Sequence, residues 1–377
     1  MVNKERIIHT FLELVQIDSE TGKEQEIQPI LKSKFQSLGL NVVEDNANED
    51  PRLGANNLIC TLASNINKND IDKIYFSSHM DTVVPGVNVK PTINDDGYIY
   101  SDGTTVLGAD DKAGLAALIE LIQVMQEQNT PHGQIQFIIT VGEESSLLGA
   151  KAINSELIDA DFGYAVDASS PIGSTVIAAP TQMKVDATIY GKTAHASVPD
   201  QGVSAINIAA KAISKMHLGK IDEETTANIG RFEGGSATNI VANKVTLNAE
   251  ARSHSDEKVE SQVAHMKSVF ENTAQSFGCS ADVRVTKSYP GFQIDENDHV
   301  IDIAKKSASS LGLNPKAVIA NGGSDGNIFN LLGVPTVIIG IGYENIHTTK
   351  ERIATQNLVL LAQQLLKIVE LVTNESN

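Results

Sequence analysis

Hydrophobic and polar positions follow several distinct patterns along the chain, and each pattern predicts its own kind of element. Near the amino terminus the sequence predicts helices over residues 3–14 and 24–38, with Gly39 as the stop of the second. Over residues 113–127 apolar side chains recur every three or four positions, which predicts a further helix. Short apolar runs predict buried strands over residues 57–62, 73–78, 134–141, 162–166 and 335–342.

The middle of the chain changes to alternating apolar and polar positions. Thr181–Tyr190 alternates strictly, which is typical of a strand with one exposed face. The pattern then predicts a helix, two strands, a helix and a strand, over residues 203–216, 226–232, 244–252, 256–277 and 281–287. This β-α-β-β-α-β order is the ferredoxin-like arrangement. We therefore predict an α/β protein: a discontinuous catalytic domain, residues 1–178 and 291–377, with a ferredoxin-like α+β domain inserted over residues 179–290.

Side chains of the types that bind metals follow the predicted buried strands. His79 and Asp167 each come directly after such a strand, Glu144 comes shortly after another, and His347 follows a fourth by a few residues. In open α/β sheets, ligands bind in the crevice outside the carboxyl ends of the strands. Four separate strands are thus predicted to deliver these side chains to one edge of the sheet.

A fifth candidate ligand, Asp110, lies in the segment GADDKAG at the start of a predicted helix. Two imidazoles and three carboxylates are too many for one four-coordinate zinc ion. They suit two ions that share a bridging carboxylate. The sequence therefore favours a metal-assisted hydrolase.

Each of these side chains also has an ordinary explanation when it is considered alone. Asp110 suits a helix N-cap, and Asp111 and Lys112 suit an ion pair at the surface. Glu143 and Glu144 suit a solvated strand end; alternatively, one binds metal and the other is a general base. Single histidines after strands are more often structural than metal ligands. Only the joint number and the shared edge favour the metal hypothesis.

Composition narrows the class of protein further. The chain carries 29 Lys and Arg against 47 Asp and Glu, a formal charge of −18, so we expect neither nucleic acid nor anionic membrane as a partner. Cys60 and Cys279 lie in no CxxC motif, and buried thiols are favoured over a single disulfide. The first residues predict an amphipathic helix, not a signal peptide, and no apolar run reaches the length of a membrane span. These observations predict a cytoplasmic protein.

Two other catalytic motifs are excluded by their sequence context. The segment GKT at residues 191–193 resembles the end of a phosphate-binding loop, but Asp186 stands where that loop requires glycine. The segment GGSDG at residues 322–326 is expected to lack the strand-to-helix pattern of a serine nucleophile elbow.

Eight segments together resemble the dizinc exopeptidase family that includes peptidase T, carboxypeptidase G2 and aminoacylase. They are SSHMDTV, LGADDKAG, GEESSLLGAK, VDASS, TAHAS, TNIVANKV, EARSHSDEK and GGSDGN. The resemblance spans nearly the whole chain in the family's motif order, and GADDKAG with GEES is most similar to peptidase T. It implies a catalytic domain built on a helix-flanked mixed sheet. It also implies that the inserted domain is a lid through which two subunits form a homodimer.

The resemblance also implies a metal centre of two zinc ions per subunit, with cobalt or manganese as alternatives. By position, His79 and Asp167 would hold one ion, Glu144 and His347 the other, and Asp110 would bridge them. The peptide bond that follows Asp110 is implied to be cis.

Further roles are implied for residues that do not bind metal. Asp81 would orient the His79 ring, and Glu143 would act as the general base that takes a proton from the attacking water between the two metals. In the lid, His195 would stabilise the oxyanion, Asn239 would bind substrate, and Arg252 would bind a substrate carboxylate.

The function predicted from the sequence is zinc-dependent hydrolysis of an amide bond in short peptides, by a tripeptidase-like aminopeptidase. An N-acyl-amino-acid deacylase or a carboxypeptidase of the same family uses the same motifs and stays an alternative. A non-catalytic protein that binds metal or peptide is the alternative from a different class.

Overall fold

The computed structural model describes residues 1–67 and 71–375, and the chain forms two compact units. The first unit comprises Met1–Ala178, Gln293–Ala320 and Ser324–Asn377. The second comprises Ala179–Phe292 and Asn321–Gly323.

The first part of the chain supplies most strands of the larger sheet. Its elements are α1 (Lys4–Val15), α2 (Ile27–Ser37), β1 (Asn41–Glu44), β2 (Leu58–Leu62), β3 (Ile74–His79), β4 (Thr92–Ile93), β5 (Tyr98–Tyr100), α3 (Ala109–Gln128), β6 (Ile135–Thr140), α4 (Leu148–Ala152), β7 (Phe162–Ala168) and β8 (Ser174–Ala179). Short 3-10 turns lie at Ala47–Glu49 and Ser155–Leu157.

The second unit follows the alternating pattern of its sequence. Its elements are β9 (Thr181–Tyr190), a 3-10 turn (Pro199–Gln201), α5 (Ala205–Ile213), β10 (Gly219–Lys220), β11 (Thr225–Gly234), β12 (Lys244–Ser253), α6 (Asp256–Ser276) and β13 (Ala281–Tyr289). The strands pair in the order β10-β11-β12-β9-β13. Helices α5 and α6 pack on this sheet over a core that includes Val185, Val245 and Phe270. The β-α-β-β-α-β order predicted from the sequence is present.

The chain then completes the first unit. Its remaining elements are β14 (Phe292–Gln293), α7 (His299–Ser310), β15 (Lys316–Ile319), α8 (Asp325–Leu331), β16 (Thr336–Gly340), β17 (Arg352–Ala354) and α9 (Thr355–Glu375). Among the described residues the large sheet has the order β1-β2-β6-β3-β7-β16-β8-β14, with β15 paired to β8, and β17-β5-β4 form a small separate sheet. Strands β6, β3, β7 and β16 are neighbours and mutually parallel. This confirms the predicted helix-flanked mixed sheet, and the carboxyl ends of four parallel strands therefore meet at one edge.

Helix α3 lies against the centre of this unit and is buried almost all round. It packs against α1, α9, β3 and β7, so its apolar residues are not confined to one stripe. Asn3 is the N-cap of α1, where its side chain accepts from the backbone N–H of Arg6, and the buried face of this helix includes Phe11 and Leu14. The rigid setting of α3 matters because Asp110 lies in its first turn.

One exclusion made from the sequence rested on a wrong local structure. A strand, β15, does precede the GGSDG segment, and a helix, α8, does follow it. Ser324 is the N-cap of α8, and its buried hydroxyl accepts from the backbone N–H of Gly326. The side chain is therefore occupied in capping and is not presented as an exposed nucleophile.

No helix within residues 1–67 and 71–375 combines the length and the apolar character needed to cross a membrane.

Candidate active site

The five predicted ligands lie together at the carboxyl edge of the parallel strands. His79 is the last residue of β3, and Asp167 is the penultimate residue of β7. Glu144 follows the end of β6, and His347 follows the end of β16 in a loop that also carries Tyr343. Because these strands are parallel neighbours, their termini bring the side chains to one place.

His79 faces two carboxylates in the first half of the site. Its Nε2 lies 3.0 Å from Asp110 Oδ1 and 3.7 Å from Asp167 Oδ1. Its Nδ1 lies 3.1 Å from the carbonyl oxygen of Asp81, which can only accept, so Nδ1 carries a proton. In the neutral ring, Nε2 then directs a lone pair at two carboxylate oxygens. Although burial lowers it, the hydrogen bonds to Asp110, Asp167 and Asp81 raise the pKa of His79 well above 6.5, so a proton on Nε2 can pair with these carboxylates when no ion is bound. In the neutral ring the same three atoms converge as ligands of the types that bind a cation.

His347 forms the second half of the site. Its Nε2 lies 3.0 Å from Glu144 Oε1 and 3.5 Å from Asp110 Oδ2. Asp110 therefore directs one oxygen to each half, as a bridging carboxylate would. The peptide bond between Asp110 and Asp111 is cis, which confirms the geometry expected from the resemblance. Imidazole nitrogens and carboxylate oxygens are ligands that zinc accepts, so the residues present fit two ions.

Asp111 is a further carboxylate near His79 and Asp167, close enough to be grouped with them as a potential ligand. Its oxygens already accept from the Ser78 hydroxyl and from the backbone N–H of Gly114. Asp110, by contrast, has oxygens directed at both histidines. We therefore assign Asp111 a supporting position and not a place among the ligands.

The sequence-based interpretation of Asp111 and Lys112 as a surface pair is wrong. Both are buried, and the Lys112 ammonium donates to Ser19 Oγ at 2.7 Å. Burial lowers the pKa of Lys112 to about 8, although neighbouring acids such as Asp81 and Glu351 oppose that shift. The start of a helix can be recognised from the sequence, but the local pattern does not show whether other elements cover the residues that follow it.

Asp81 holds the turn that carries the predicted general base. Its carboxylate accepts the backbone N–H of Glu143 at 3.0 Å and that of Glu144 at 3.2 Å. The same carboxylate lies 3.4 Å from Nδ1 of His79. Asp81 is completely buried, so these contacts are shielded from water. It therefore ties the imidazole of one half of the site to the paired glutamates.

Two more buried side chains secure the preceding residues of this turn. Asn57 Oδ1 accepts the N–H of Val141 at 3.0 Å, and Glu24 Oε1 accepts the N–H of Gly142 at 3.1 Å. Glu24 also accepts from Gly22 and Gly54, so one carboxylate joins three loops. Four consecutive backbone N–H groups, from residue 141 to residue 144, are thus fixed by side chains.

Glu143 is buried beside the cluster, and burial, with Asp167 and Glu144 nearby, raises its pKa well above the ordinary value of 4.5. Burial also raises the pKa of Glu144 to about 7 and, with Asp167 and Asp81 nearby, that of Asp325 to about 7. Asp325 accepts from Thr140 Oγ1 at 2.5 Å, while its Oδ1 has no hydrogen-bond partner among the described residues. Such crowding of acids is what bound cations would relieve.

Reasoning from the sequence missed two residues that touch the ligands. Tyr343 is buried, and its hydroxyl lies 3.0 Å from Asp167 Oδ1 and 3.4 Å from Asp110 Oδ1. Glu351 accepts the backbone N–H of Asp110 at 3.0 Å and that of Gly108 at 2.7 Å. Both lie four residues from His347 in the sequence, and this proximity is the only sign in the sequence that they could contact the site.

The predicted substrate residues all lie in the second unit. His195 is exposed, with Nδ1 2.7 Å from Ser197 Oγ, and Asn239 is exposed in the loop whose backbone pairs with the His195 segment. Arg252 lies on β12, where its Nε and Nη2 donate to the two carboxylate oxygens of Glu250 at 2.9 and 3.3 Å. Much of the Arg252 guanidinium is therefore already paired within its own unit.

Fold and site together define a hydrolytic enzyme, and sequence comparison gives its family. The chain belongs to peptidase family M20/M25/M40, whose sequence model matches residues 75–371. It is 54% identical over 371 residues to the uncharacterised protein YqjE of Bacillus subtilis, a match covering 98% of this chain and 99% of that protein. It is 26% identical over 408 residues to Peptidase T of Geobacillus kaustophilus, with 98% of each chain covered.

Solved structures agree with this assignment. A tripeptidase from Staphylococcus aureus superposes with a TM-score of 0.95 at 63% identity, covering 99% of this chain and 100% of that one. The aminopeptidase PepT from Bacillus cereus superposes with a TM-score of 0.88 at 55% identity, covering 98% and 99%. These comparisons confirm the resemblance to peptidase T, and the chain is a peptidase of this family.

The contacts of Asp81 predict a large effect on stability that needs no bound metal. In Asp81→Ala the buried backbone N–H of Glu143 and the partly buried N–H of Glu144 lose their acceptor, at about 1–3 kcal/mol for a fully buried donor. We expect Asp81→Asn, which keeps one acceptor oxygen, to fall between this variant and the wild type. Urea unfolding in the presence of a chelator measures the effect.

Asp295→Ala is the matched control, because Asp295 also accepts a backbone N–H, from Asn297 at 2.9 Å, but is exposed. We expect a change of at most about 0.5 kcal/mol there. Equal losses in the two alanine variants would contradict the anchoring role of Asp81.

Proposed function

We propose that this peptidase is a two-metal aminopeptidase that removes the amino-terminal residue from short peptides, with tripeptides as preferred substrates. The observation that carries the proposal is the pair of imidazoles that share Asp110, with the buried Glu143 beside them. The solved relatives of highest identity reported above are described as a tripeptidase and an aminopeptidase, which supports this substrate class.

In this proposal His79 and Asp167 hold one divalent ion, Glu144 and His347 hold the other, and Asp110 bridges them. Zinc is the proposed ion, with cobalt or manganese as alternatives. When bound, the ions would supply Lewis-acid polarisation of the substrate carbonyl and make water a better nucleophile. The support for this arrangement is the donor set and its convergence, with His79 Nε2 and His347 Nε2 each within 3.5 Å of a different oxygen of Asp110.

Glu143 moves the proton during hydrolysis. Its carboxylate accepts a proton as the water oxygen forms a bond to the substrate carbonyl carbon. It then donates that proton to the amide nitrogen, which leaves as an amine when the C–N bond breaks. The hydrogen bonds that Asp81 accepts from the backbone N–H groups of Glu143 and Glu144 hold the general base next to the ligand Glu144. The raised pKa of Glu143 suits a group that must both take up and release a proton.

The second unit would bind the peptide and serve as lid and dimerisation domain. There, His195 would stabilise the oxyanion, Asn239 would bind the peptide, and Arg252 would bind a substrate carboxylate with the donors that Glu250 leaves available. A homodimer and a cytoplasmic location complete the proposal.

A panel of substrates separates this function from its relatives within the family. Tripeptides with free amino termini, the same peptides with acetylated amino termini, dipeptides and N-acetyl amino acids are incubated with the zinc-loaded enzyme, and the products are identified by mass. We expect the free tripeptides to be cleaved after the first residue. Preferred cleavage of N-acetyl amino acids would identify a deacylase, and release of the last residue a carboxypeptidase.

Replacement of the general base predicts a loss of turnover without loss of metal. In Glu143→Gln the amide cannot accept the proton from water, so we expect kcat to fall by about two to four orders of magnitude. Metal content by elemental analysis should stay at the wild-type value.

Glu120→Gln is the control, because Glu120 is also buried but pairs with Arg6 at 2.6 Å and is not among the potential metal ligands of the described residues. It should reduce stability and leave kcat nearly unchanged. Near-normal turnover in Glu143→Gln would refute the assigned role.

Replacement of either histidine ligand predicts a loss of bound zinc. His79→Ala and His347→Ala each remove one ligand nitrogen, so we expect each variant to retain less zinc than the wild type after dialysis. His132→Ala is the matched control, since His132 is buried against the carbonyl of Gly133. Unchanged zinc content in both ligand variants would rule out the proposed ligand set.

A further inference from the structure

Tyr343 contacts the first half of the candidate metal site and has no role in the function described so far. It lies four residues before His347 and is 2% exposed. Its hydroxyl is 3.0 Å from Asp167 Oδ1 and 3.4 Å from Asp110 Oδ1. A phenol has a single proton to donate, and here that proton is shared between two carboxylates.

The oxygens that Tyr343 contacts are the same ones that face His79. Asp110 Oδ1 and Asp167 Oδ1 lie 3.0 and 3.7 Å from His79 Nε2. A carboxylate oxygen has two lone pairs, so it can accept from the phenol with one and bind a cation with the other. The phenol thereby fixes which oxygen of each carboxylate is directed at His79.

The second half of the site is formed by different atoms. His347 Nε2 faces Glu144 Oε1 and the other oxygen of Asp110, Oδ2. The hydroxyl of Tyr343 is not hydrogen-bonded to any of these three atoms in the described part of the chain. Its effect on the two halves should therefore be unequal.

We propose that Tyr343 is a positioning residue for the His79 half of the metal centre. Its hydroxyl holds Asp110 Oδ1 and Asp167 Oδ1 in convergence before metal arrives, because a shared donor offsets the repulsion between two buried carboxylates. The first ion then meets ligands that are already oriented, whereas the His347 half gains nothing directly. The inference rests on the proposed two-metal function.

Tyr343→Phe tests the role with the loss of one oxygen atom. The probe is Zn²⁺, titrated into metal-free full-length protein in competition with a chromophoric chelator. We expect the wild type to bind two ions. In Tyr343→Phe one binding step should weaken by about 10–100-fold, as is typical when a group that orients a metal ligand is removed, and the other should stay the same.

Two further variants assign the weakened step and control for the loss of a buried hydroxyl. In His347→Ala only the His79 half remains, so adding Tyr343→Phe should weaken the one step that is left. Tyr164→Phe is the control, because Tyr164 is fully buried and donates to the carbonyl of Val300 at 3.2 Å. We expect its zinc affinities to match those of the wild type.

A measurement on the wild type keeps the test decisive if Tyr343→Phe does not fold. The protein has no tryptophan and 7 tyrosines, so its near-ultraviolet absorption reports on tyrosine. Zinc that binds beside the Tyr343 hydroxyl should produce a tyrosine difference spectrum in the wild type and in His347→Ala, but not in His79→Ala.

The outcomes separate the inference from the function on which it rests. Fewer than two zinc ions in the wild type would refute the two-metal function, whatever Tyr343 does. Two ions in the wild type and unchanged or tighter binding in Tyr343→Phe would overturn the role of Tyr343 alone. Equal weakening of both steps, or a difference spectrum that survives in His79→Ala, would overturn it as well.

Discussion

Eight carboxylates crowd around the carboxyl ends of β6, β3, β7 and β16 within the described residues of the first unit, where burial removes most of their contact with water. They are Asp81, Asp110, Asp111, Glu143, Glu144, Asp167, Asp325 and Glu351. Burial, with repulsion from neighbouring acids, raises the pKa of several of them, and those of Glu351 and Asp325 reach about 7. Lys112 is a buried cation near these acids, but burial lowers its pKa to about 8, so it holds its positive charge less firmly than an exposed lysine. The proposed divalent cations would relieve this repulsion, because each brings two positive charges among the carboxylates.

Backbone N–H groups donate to several buried carboxylates in and around the site, and these hydrogen bonds fix the orientation of the side chains relative to the fold. Asp81, Glu24 and Glu351 each accept two or more backbone donors, from residues 142–144, from the loops at residues 22 and 54, and from the start of α3. Charge-assisted bonds of this kind are stronger than neutral ones and direct the remaining lone pairs. The ligands His79, Asp110 and Asp167 are therefore held within strands and a helix, and the turn that carries Glu144 is fixed by the hydrogen bonds that Asp81 accepts.

The sequence predicted the part of this arrangement that depends on local pattern. Apolar runs that end near His79, Asp167 or the paired glutamates indicate buried strands. Because the ligand crevice of an open α/β sheet lies outside the carboxyl ends of its strands, these side chains are predicted to meet at one edge of the sheet. The positions of Tyr343 and Glu351 could not be obtained in that way, because their contacts with Asp110 join segments more than two hundred residues apart. Lys112 was misplaced for a related reason: the cover that buries it comes from distant segments such as that of Ser19. By contrast, α9 has buried apolar side chains at helical spacing, at Leu358, Leu361, Leu365 and Val369, so the local pattern alone indicates this helix.

The same excess of negative charge bears on the choice of substrate. Two divalent ions together with Lys112 carry fewer positive charges than the eight carboxylates carry negative ones when all are ionised, so the centre attracts a further cation. The substrate of an aminopeptidase brings an ammonium group within one residue of the bond that is cut. An N-acyl amino acid has no such group, and the carboxylate that it places near the scissile bond would be repelled. This charge supports the proposed aminopeptidase over a deacylase, because a free amino terminus suits a negatively charged site.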